Sequence, residues 1–150
     1  MNISELMSKD PCTVSPDTPV SEAARLMKEE DVGMVPVIER VGGAETRGRL
    51  VGVITDRDIA IRAVADGRDI GSVTVNDVMS KGATTAKASD NVDDVMKVMG
   101  REQVRRIPIV DERDQLVGIV SQADVVLKAK SDTRSEHTVE KISEPGGRHS

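Results

Sequence analysis

Aromatic residues are absent from this chain of 150 residues, which contains no Phe, no Trp and no Tyr. Proteins that bind single-stranded nucleic acids stack the bases on aromatic rings, and cages for quaternary ammonium ligands use the same rings. Both kinds of site are therefore excluded. A planar ligand must be held between Met, Val and Ile side chains and the backbone.

Cysteine and long apolar runs are also scarce. Cys12 is the only cysteine, so no intrachain disulfide can form, which fits a reducing compartment. The sequence has no 18-residue apolar stretch and no signal-peptide pattern, which predicts a cytoplasmic protein without a membrane segment. The net charge of −5 argues against nucleic acids and anionic membranes as partners, because both attract clustered positive charge.

The sequence contains an internal repeat. Residues 3–39 align with residues 75–111 at nine identical positions, including Met-Ser-Lys at 7–9 and 79–81. Six extra residues in the first copy then change the offset, and residues 50–58 align with 116–124. This order of matches indicates a duplicated unit, and two copies predict a pseudo-symmetric pair that buries a shared face. We assign repeat 1 to residues 1–68, repeat 2 to 69–130 and a polar tail to 131–150.

The two repeats have the same predicted elements. Apolar residues at helical spacing predict helices over Val20 to Glu30 and Val92 to Arg101, with Thr18 and Asp90 as their N-caps. Near-continuous apolar runs predict strands at Val35–Ile38, Leu50–Ile54, Ile107–Val110 and Leu116–Val120. Further helices are predicted after Thr55 and Ser121, and a short one in the tail around Thr138 to Ile142. The fold class is a mixed α+β fold.

The strand-to-helix junctions carry the candidate chemistry. A hydroxyl residue precedes an acid by three positions in Thr55…Asp58 and again in Ser121…Asp124. This spacing is typical of a capping box, which satisfies free N–H groups at a helix start. The same groups suit a nucleotide, because a carboxylate can accept two hydrogen bonds from the ribose diol while the hydroxyl lies beside the phosphate. The pattern alone leaves both interpretations open.

Basic residues accompany both junctions. Arg62 and Lys128 follow the two acids by four positions, a spacing typical of helical ion pairs. The doublet Arg105-Arg106 precedes the third strand and is either solvated charge or a phosphate contact. No His, Cys, Asp and Glu residues recur at metal-ligand spacing, so no metal is predicted.

These motifs together resemble a tandem cystathionine-β-synthase (CBS) domain pair, similar to small stand-alone bacterial proteins of this kind. The resemblance covers about residues 3–130. It implies two pseudo-symmetric βαββα-type units packed through their sheets into one module. It also implies clefts for adenosine-containing ligands, namely AMP, ADP, ATP, NAD or S-adenosylmethionine, a role in sensing and signal transduction rather than catalysis, and a homodimer.

In that family each cleft combines residues of both repeats. Carried over to this chain, the first cleft consists of Met7, Cys12, Thr13, Val32 and Gly33 with Ile119, Ser121 and Asp124. The second consists of Met79, Thr84, Thr85, Val104 and Arg105 with Val53, Thr55 and Asp58, and with Arg106 near the phosphate. Because repeat 1 has Gly33 where repeat 2 has Arg105, we expect the second cleft to bind phosphorylated nucleotides more tightly.

The motifs and the resemblance leave three functions to consider for this chain. The first is a regulatory module that senses an adenine nucleotide and acts on an unidentified downstream protein, and the alternative is an interaction module with vestigial clefts. An enzyme is disfavoured because the sequence has no nucleophile–base set and no phosphate-binding Gly-rich loop.

The homodimer is also expected from apolar residues near Met7 and Met79 and on the helices Val20–Glu30 and Val92–Arg101, which exceed what one small sheet can cover.

Overall fold

The computed structural model describes residues 1–40 and 48–136. After a 3-10 turn at Ile3–Glu5, the elements are α1 (Val20–Glu30), β1 (Met34–Glu39), β2 (Arg49–Thr55), α2 (Asp56–Ile59, continued by a π-helical segment Ala60–Val64), α3 (Val75–Val78), α4 (Val92–Glu102), β3 (Arg106–Val110), β4 (Leu116–Ser121) and α5 (Gln122–Glu136). The mixed α+β class is confirmed, as are the four predicted strands and the predicted helices that fall within the described residues. No helix in the described ranges combines the length and apolar character that a membrane span requires.

The last described helix crosses residue 130. Helix α5 continues to Glu136, past residue 130, where we placed the end of repeat 2. The rest of the predicted tail, with its short helix around Thr138 to Ile142, lies outside the described residues.

Each repeat contains one small antiparallel sheet, β1 with β2 and β3 with β4. The two sheets have an irregularity in register at equivalent places, between Val37 and Ile38 and between Ile109 and Val110. A parallel bridge joins Val14 to Val37 in repeat 1, and the same bridge joins Ala86 to Ile109 in repeat 2. Each unit therefore has the order β-α-β-β-α, as the resemblance implies.

The predicted N-caps of both long helices are wrong by one residue. Pro19 is the N-cap of α1, whereas the Thr18 hydroxyl accepts a hydrogen bond from the N–H of Ser15. The N-cap of α4 is Asn91, and the carboxylate of Asp90 accepts instead from the N–H of Lys87. In both cases the residue after the predicted cap is still extended, so the helix begins later.

The first segment of each repeat is buried in the hydrophobic core of the other repeat, so the two repeats exchange these segments. Val75, Val78 and Met79 belong to repeat 2 in sequence, but they are buried in the core of repeat 1 with α1, β1 and β2. Conversely, Ile3 is buried in the core of repeat 2, with Leu6 and Met7 packed against it. Each repeat therefore completes the hydrophobic core of the other, and the two units form one interlocked module.

The exchange covers part of the apolar surface on which the expectation of a homodimer rests. In α1, Val20 and Ala23 are 0% exposed, whereas Leu26 of α1 and Met96 of α4 remain half-buried. The large apolar side chains that remain exposed lie elsewhere, chiefly Ile61, Val64 and Leu127.

Two glycines allow the exchanged segments to approach the sheets. A Cβ on Gly52 would lie 2.6 Å from the carbonyl oxygen of Ser80, and a Cβ on Gly118 would lie 2.8 Å from that of Ser8. The adjacent residues exchange backbone hydrogen bonds in both directions, Val53 with Ser80 and Ile119 with Ser8. The segment after α3 is thereby fixed beside the end of β2, where the candidate site lies.

Candidate functional site

A cleft of about 510 Å³ is lined by both repeats. Six residues predicted for the second cleft line it: Val53, Thr55, Thr84, Val104, Arg105 and Arg106. Gly33, which we assigned to the first cleft, lines it as well. The segment Ser80–Lys81–Gly82 forms a further part of the wall, so the cleft lies against the exchanged segment.

The charges that line the cleft are mostly positive. Arg57, Lys81, Arg105 and Arg106 contribute four cationic groups, whereas Asp56 is the one acid among the lining residues. This local excess contrasts with the net charge of −5 of the whole chain. A cationic cleft on an acidic protein concentrates anionic ligands such as phosphates.

The Thr55 junction forms the capping box that its spacing predicts. The N–H of Thr55 donates to Asp58 Oδ2 at 3.0 Å, and the N–H of Asp58 donates to Thr55 Oγ1 at 3.0 Å. Asp58 is only 8% exposed, whereas Thr55 lines the cleft. The junction therefore caps α2 and also borders the cleft, so the two interpretations of the motif are compatible.

The same motif occurs a third time away from this cleft. Thr74 and Asp77 form a capping box at the start of α3, and neither residue lines the 510 Å³ cleft. The N–H and hydroxyl of Thr74 donate to the Asp77 carboxylate and lower the pKa of that group. The hydroxyl-x-x-acid pattern alone is thus a helix cap, and the surrounding cleft distinguishes the Thr55 junction.

A serine and an arginine that the sequence analysis did not select for the site connect Asp58 to the exchanged segment. Ser80 Oγ donates to the Asp58 carboxylate, at 3.0 Å from Oδ1 and 3.2 Å from Oδ2. Arg62 Nη1 donates to the carbonyl oxygens of Val78 and Met79 at 3.3 and 3.1 Å. The predicted ion pair between Arg62 and Asp58 is the longest of these contacts, at 4.0 Å.

The equivalent junction in repeat 2 is less connected. The N–H of Asp124 donates to Ser121 Oγ at 3.1 Å, which is half of a capping box. Within residues 1–40 and 48–136, no hydrogen bond reaches the Asp124 carboxylate, and Lys128 does not form an ion pair with it. The two repeats therefore use the same motif differently.

The other residues predicted for the site, Asp58 among them, are not lining residues of this cleft. Met79 is buried against Gly52 in the core of repeat 1, and Thr85 borders a small cavity of about 70 Å³. Thr13 lines a separate open groove of about 680 Å³ with Glu22 and Arg25. Met7 lies against Gly118, next to Ile119, and Val32 packs against the core of repeat 1. The structure thus brings together six residues of the second predicted set in one cleft, and it places Met7 of the first set beside Ile119 of the same set.

Cys12 is half-buried and packs against the core of repeat 1. Burial raises the pKa of its thiol, and the nearby Glu30 carboxylate raises it further, whereas Arg106 acts in the opposite direction. A raised pKa keeps the sulfur protonated, and the thiolate is the nucleophilic form. Cys12 is therefore suited to packing rather than to covalent chemistry.

Metal binding has no support in the described residues, where no three His, Cys, Asp or Glu residues are grouped to hold an ion. Both histidines, His137 and His149, lie outside the described ranges. One solved neighbour, Hypoxic Response Protein I with two coordinated zinc ions, is 31% identical and has a TM-score of 0.72, covering 85% of this chain and 98% of that one. The absence of a metal stays a prediction.

Comparison with other solved structures supports the fold. The CBS domain pair of protein MJ0100, in complex with 5′-methylthioadenosine and S-adenosyl-L-methionine, has a TM-score of 0.74 at 26% identity, covering 88% of this chain and 98% of that one. CBSX2 in complex with AMP has a TM-score of 0.75 at 25% identity, covering 89% and 98%.

Comparison at the sequence level gives the family. CBS domain-containing protein YhcV of Bacillus subtilis is 37% identical over 142 residues, which are 95% of each chain. The family model for the CBS domain matches residues 3–65 and again residues 75–130. The chain therefore belongs to the CBS-domain family and carries two copies of the domain.

Proposed function

We propose that this protein is a regulatory sensor that binds an adenosine-containing ligand in the cleft between its two repeats. Pairs of CBS domains are regulatory modules, and stand-alone proteins of this family are regulatory rather than catalytic. The observation that carries the proposal is the cleft itself, which is lined by Thr55 of repeat 1 and by the Arg105-Arg106 doublet of repeat 2. The buried Asp58 carboxylate is hydrogen-bonded to Thr55 and Ser80, which both line the cleft.

The cleft offers a separate group for each part of a nucleotide. Val53, Val104 and Pro108 provide apolar walls for a base, which suits a chain without aromatic residues. The Asp58 carboxylate is the acceptor for ribose hydroxyls, and the arginine doublet supplies donors for phosphate. The volume of about 510 Å³ lies within the usual range of small-molecule sites.

The ligand class is AMP, ADP, ATP, NAD or S-adenosylmethionine. Neighbours with the same fold are complexes with AMP, with 5′-methylthioadenosine and with S-adenosyl-L-methionine. The cationic lining favours the phosphorylated members of this class, because a guanidinium pairs with phosphate oxygens through charge-assisted hydrogen bonds.

One observation favours the alternative of an interaction module with vestigial clefts. The Asp58 carboxylate already accepts hydrogen bonds from Thr55 and Ser80 within the chain, so its burial is satisfied without a ligand. The two functions predict opposite results in the same measurement.

The purified protein is expected to show an absorption band near 260 nm from a copurified adenine ligand. Without Trp and Tyr the chain is nearly transparent at 280 nm, so the band would report the ligand almost directly. Mass spectrometry of the released molecule would identify it. If no band is present, a ligand added at 100 times its dissociation constant should still stabilise the fold by about 2.7 kcal/mol. Absence of the band, together with an unchanged melting temperature with AMP, ATP, NAD and S-adenosylmethionine, would favour the interaction module.

We also propose that the protein forms a homodimer, through the helices α2 and α5 that follow the two junctions. Ile61 and Leu127 occupy equivalent positions of the two repeats and are 50% and 49% exposed. Sedimentation equilibrium at micromolar concentration should give twice the chain mass of 16.1 kDa. The double variant Ile61→Lys, Leu127→Lys should sediment as a monomer, and a wild-type monomer would contradict the proposal.

A further inference from the structure

The hydroxyl of Ser80 occupies the fork of the Asp58 carboxylate. Its oxygen lies 3.0 Å from Oδ1 and 3.2 Å from Oδ2, so a single O–H is shared between the two carboxylate oxygens. Oδ2 also accepts the N–H of Thr55 at 3.0 Å. The Asp58 side chain is only 10% exposed, which leaves little of the carboxylate accessible beyond the position that Ser80 takes.

The backbone holds Ser80 in this position. Its N–H and its C=O both pair with Val53, at 2.8 and 3.0 Å. The two preceding carbonyls accept from Arg62, and Gly52 lets the segment lie directly against β2. Ser80 lines the cleft whereas Asp58 does not, and the Ser80 hydroxyl is hydrogen-bonded to the Asp58 carboxylate. Ser80 therefore connects the carboxylate to the cleft in which a ligand would bind.

A ribose would need the same position. A vicinal diol donates one hydrogen bond to each oxygen of a carboxylate, and these are the two oxygens between which the Ser80 hydroxyl is shared. On the basis of the proposed function, we infer that Ser80 is an internal competitor for the ribose-binding carboxylate. A nucleoside binds in this cleft only after the serine hydroxyl rotates away, so Ser80 sets the affinity of the cleft.

The other repeat provides a natural comparison. Ser8 is the equivalent residue in the repeated Met-Ser-Lys motif, and its backbone pairs with Ile119 as that of Ser80 pairs with Val53. In the described part of the chain, however, the Asp124 carboxylate accepts no hydrogen bond from Ser8. Ser8→Ala is therefore a matched control for Ser80→Ala, because the motif and the backbone pairing are the same and the carboxylate contact is missing.

The experiment measures the affinity for adenosine and for 2′,3′-dideoxyadenosine, which lacks the diol, by isothermal titration. Ser80→Ala is expected to bind adenosine about tenfold more tightly than wild type, which corresponds to about 1.4 kcal/mol. Its affinity for the dideoxy compound should not change, because that ligand does not use the carboxylate. Ser8→Ala should bind both ligands as the wild type does.

A second variant keeps the inference testable if Ser80→Ala does not fold. Ser80→Cys keeps the volume of the side chain but replaces the hydroxyl by a weak donor, so adenosine affinity should rise in the same direction. Unchanged or weaker adenosine binding in both Ser80 variants would overturn the inference while the proposed function stands. An equal gain for adenosine and for the dideoxy compound would overturn it as well. If neither the wild type nor any variant binds adenosine or AMP, the proposed function itself fails.

Discussion

Gly52→Ala is expected to destabilise the protein by about 1–3 kcal/mol, the usual cost of forcing extra atoms into a packed site. The new Cβ would lie 2.6 Å from the carbonyl oxygen of Ser80, and this backbone atom cannot rotate away as a side chain could. The carbonyl also accepts the N–H of Val53, so relief of the clash would break the bridge that holds the exchanged segment. Thermal and urea unfolding would measure the loss, which amounts to about 2–4 °C in Tm for each kcal/mol.

The same substitution at Gly100 is the control. Gly100 is exposed in α4, and a Cβ there would meet no atom within 4 Å. Gly100→Ala is therefore expected to raise the free energy of unfolding by about 0.5–1 kcal/mol, because alanine has the higher helix propensity. A Gly52→Ala protein as stable as the wild type would show that the exchanged segment is not held where the structure places it.

The elements of the fold could be predicted because their signals are local. Apolar residues at helical spacing define α1 and α4, and near-continuous apolar runs define the four strands. The exchange of the segments around Ile3 and Val75 could not be predicted in this way. The buried positions of both segments are apolar, and they would need to be apolar in either core, so the sequence does not indicate which core encloses them. Their contacts also join residues that are far apart in the chain. For the same reason, the sequence does not show that the other repeat covers part of the apolar surface from which we expected a dimer.

The candidate site was predictable where it depends on the repeat. Comparison of the two copies singled out Thr55 and the Arg105-Arg106 doublet, and the structure brings these residues into one cleft. Ser80 belongs to the repeated Met-Ser-Lys motif, but the repeat shows only that the two copies are similar in sequence. It does not show that Ser80 contacts Asp58, which is 22 residues away. The contact exists in only one copy, so alignment of the repeats alone could not reveal it.

Arg105→Ala is expected to weaken the binding of AMP and ATP about ten- to a hundredfold, because a hydrogen bond to a charged group contributes about 1.5–3 kcal/mol. Adenosine has no phosphate, so its affinity should change far less. Isothermal titration of AMP and adenosine would measure both effects. Arg101→Ala is the matched control, since this exposed arginine of α4 does not line the cleft and is expected to bind both ligands as the wild type does.

The ratio of the two affinities separates phosphate recognition from ribose recognition. Ser80 competes at the carboxylate that adenosine and AMP both use, so it weakens both ligands by the same factor and leaves their ratio unchanged. In the proposed complex, Arg105 would contact only the phosphorylated ligand and would therefore determine the ratio. Asp58→Ala should remove the tight phase of an AMP titration, whereas Asp124→Ala should affect mainly a weaker phase, because repeat 1 has Gly33 at the position of Arg105. If Asp124→Ala lost the tight phase and Asp58→Ala kept it, phosphate recognition would belong to the other cleft.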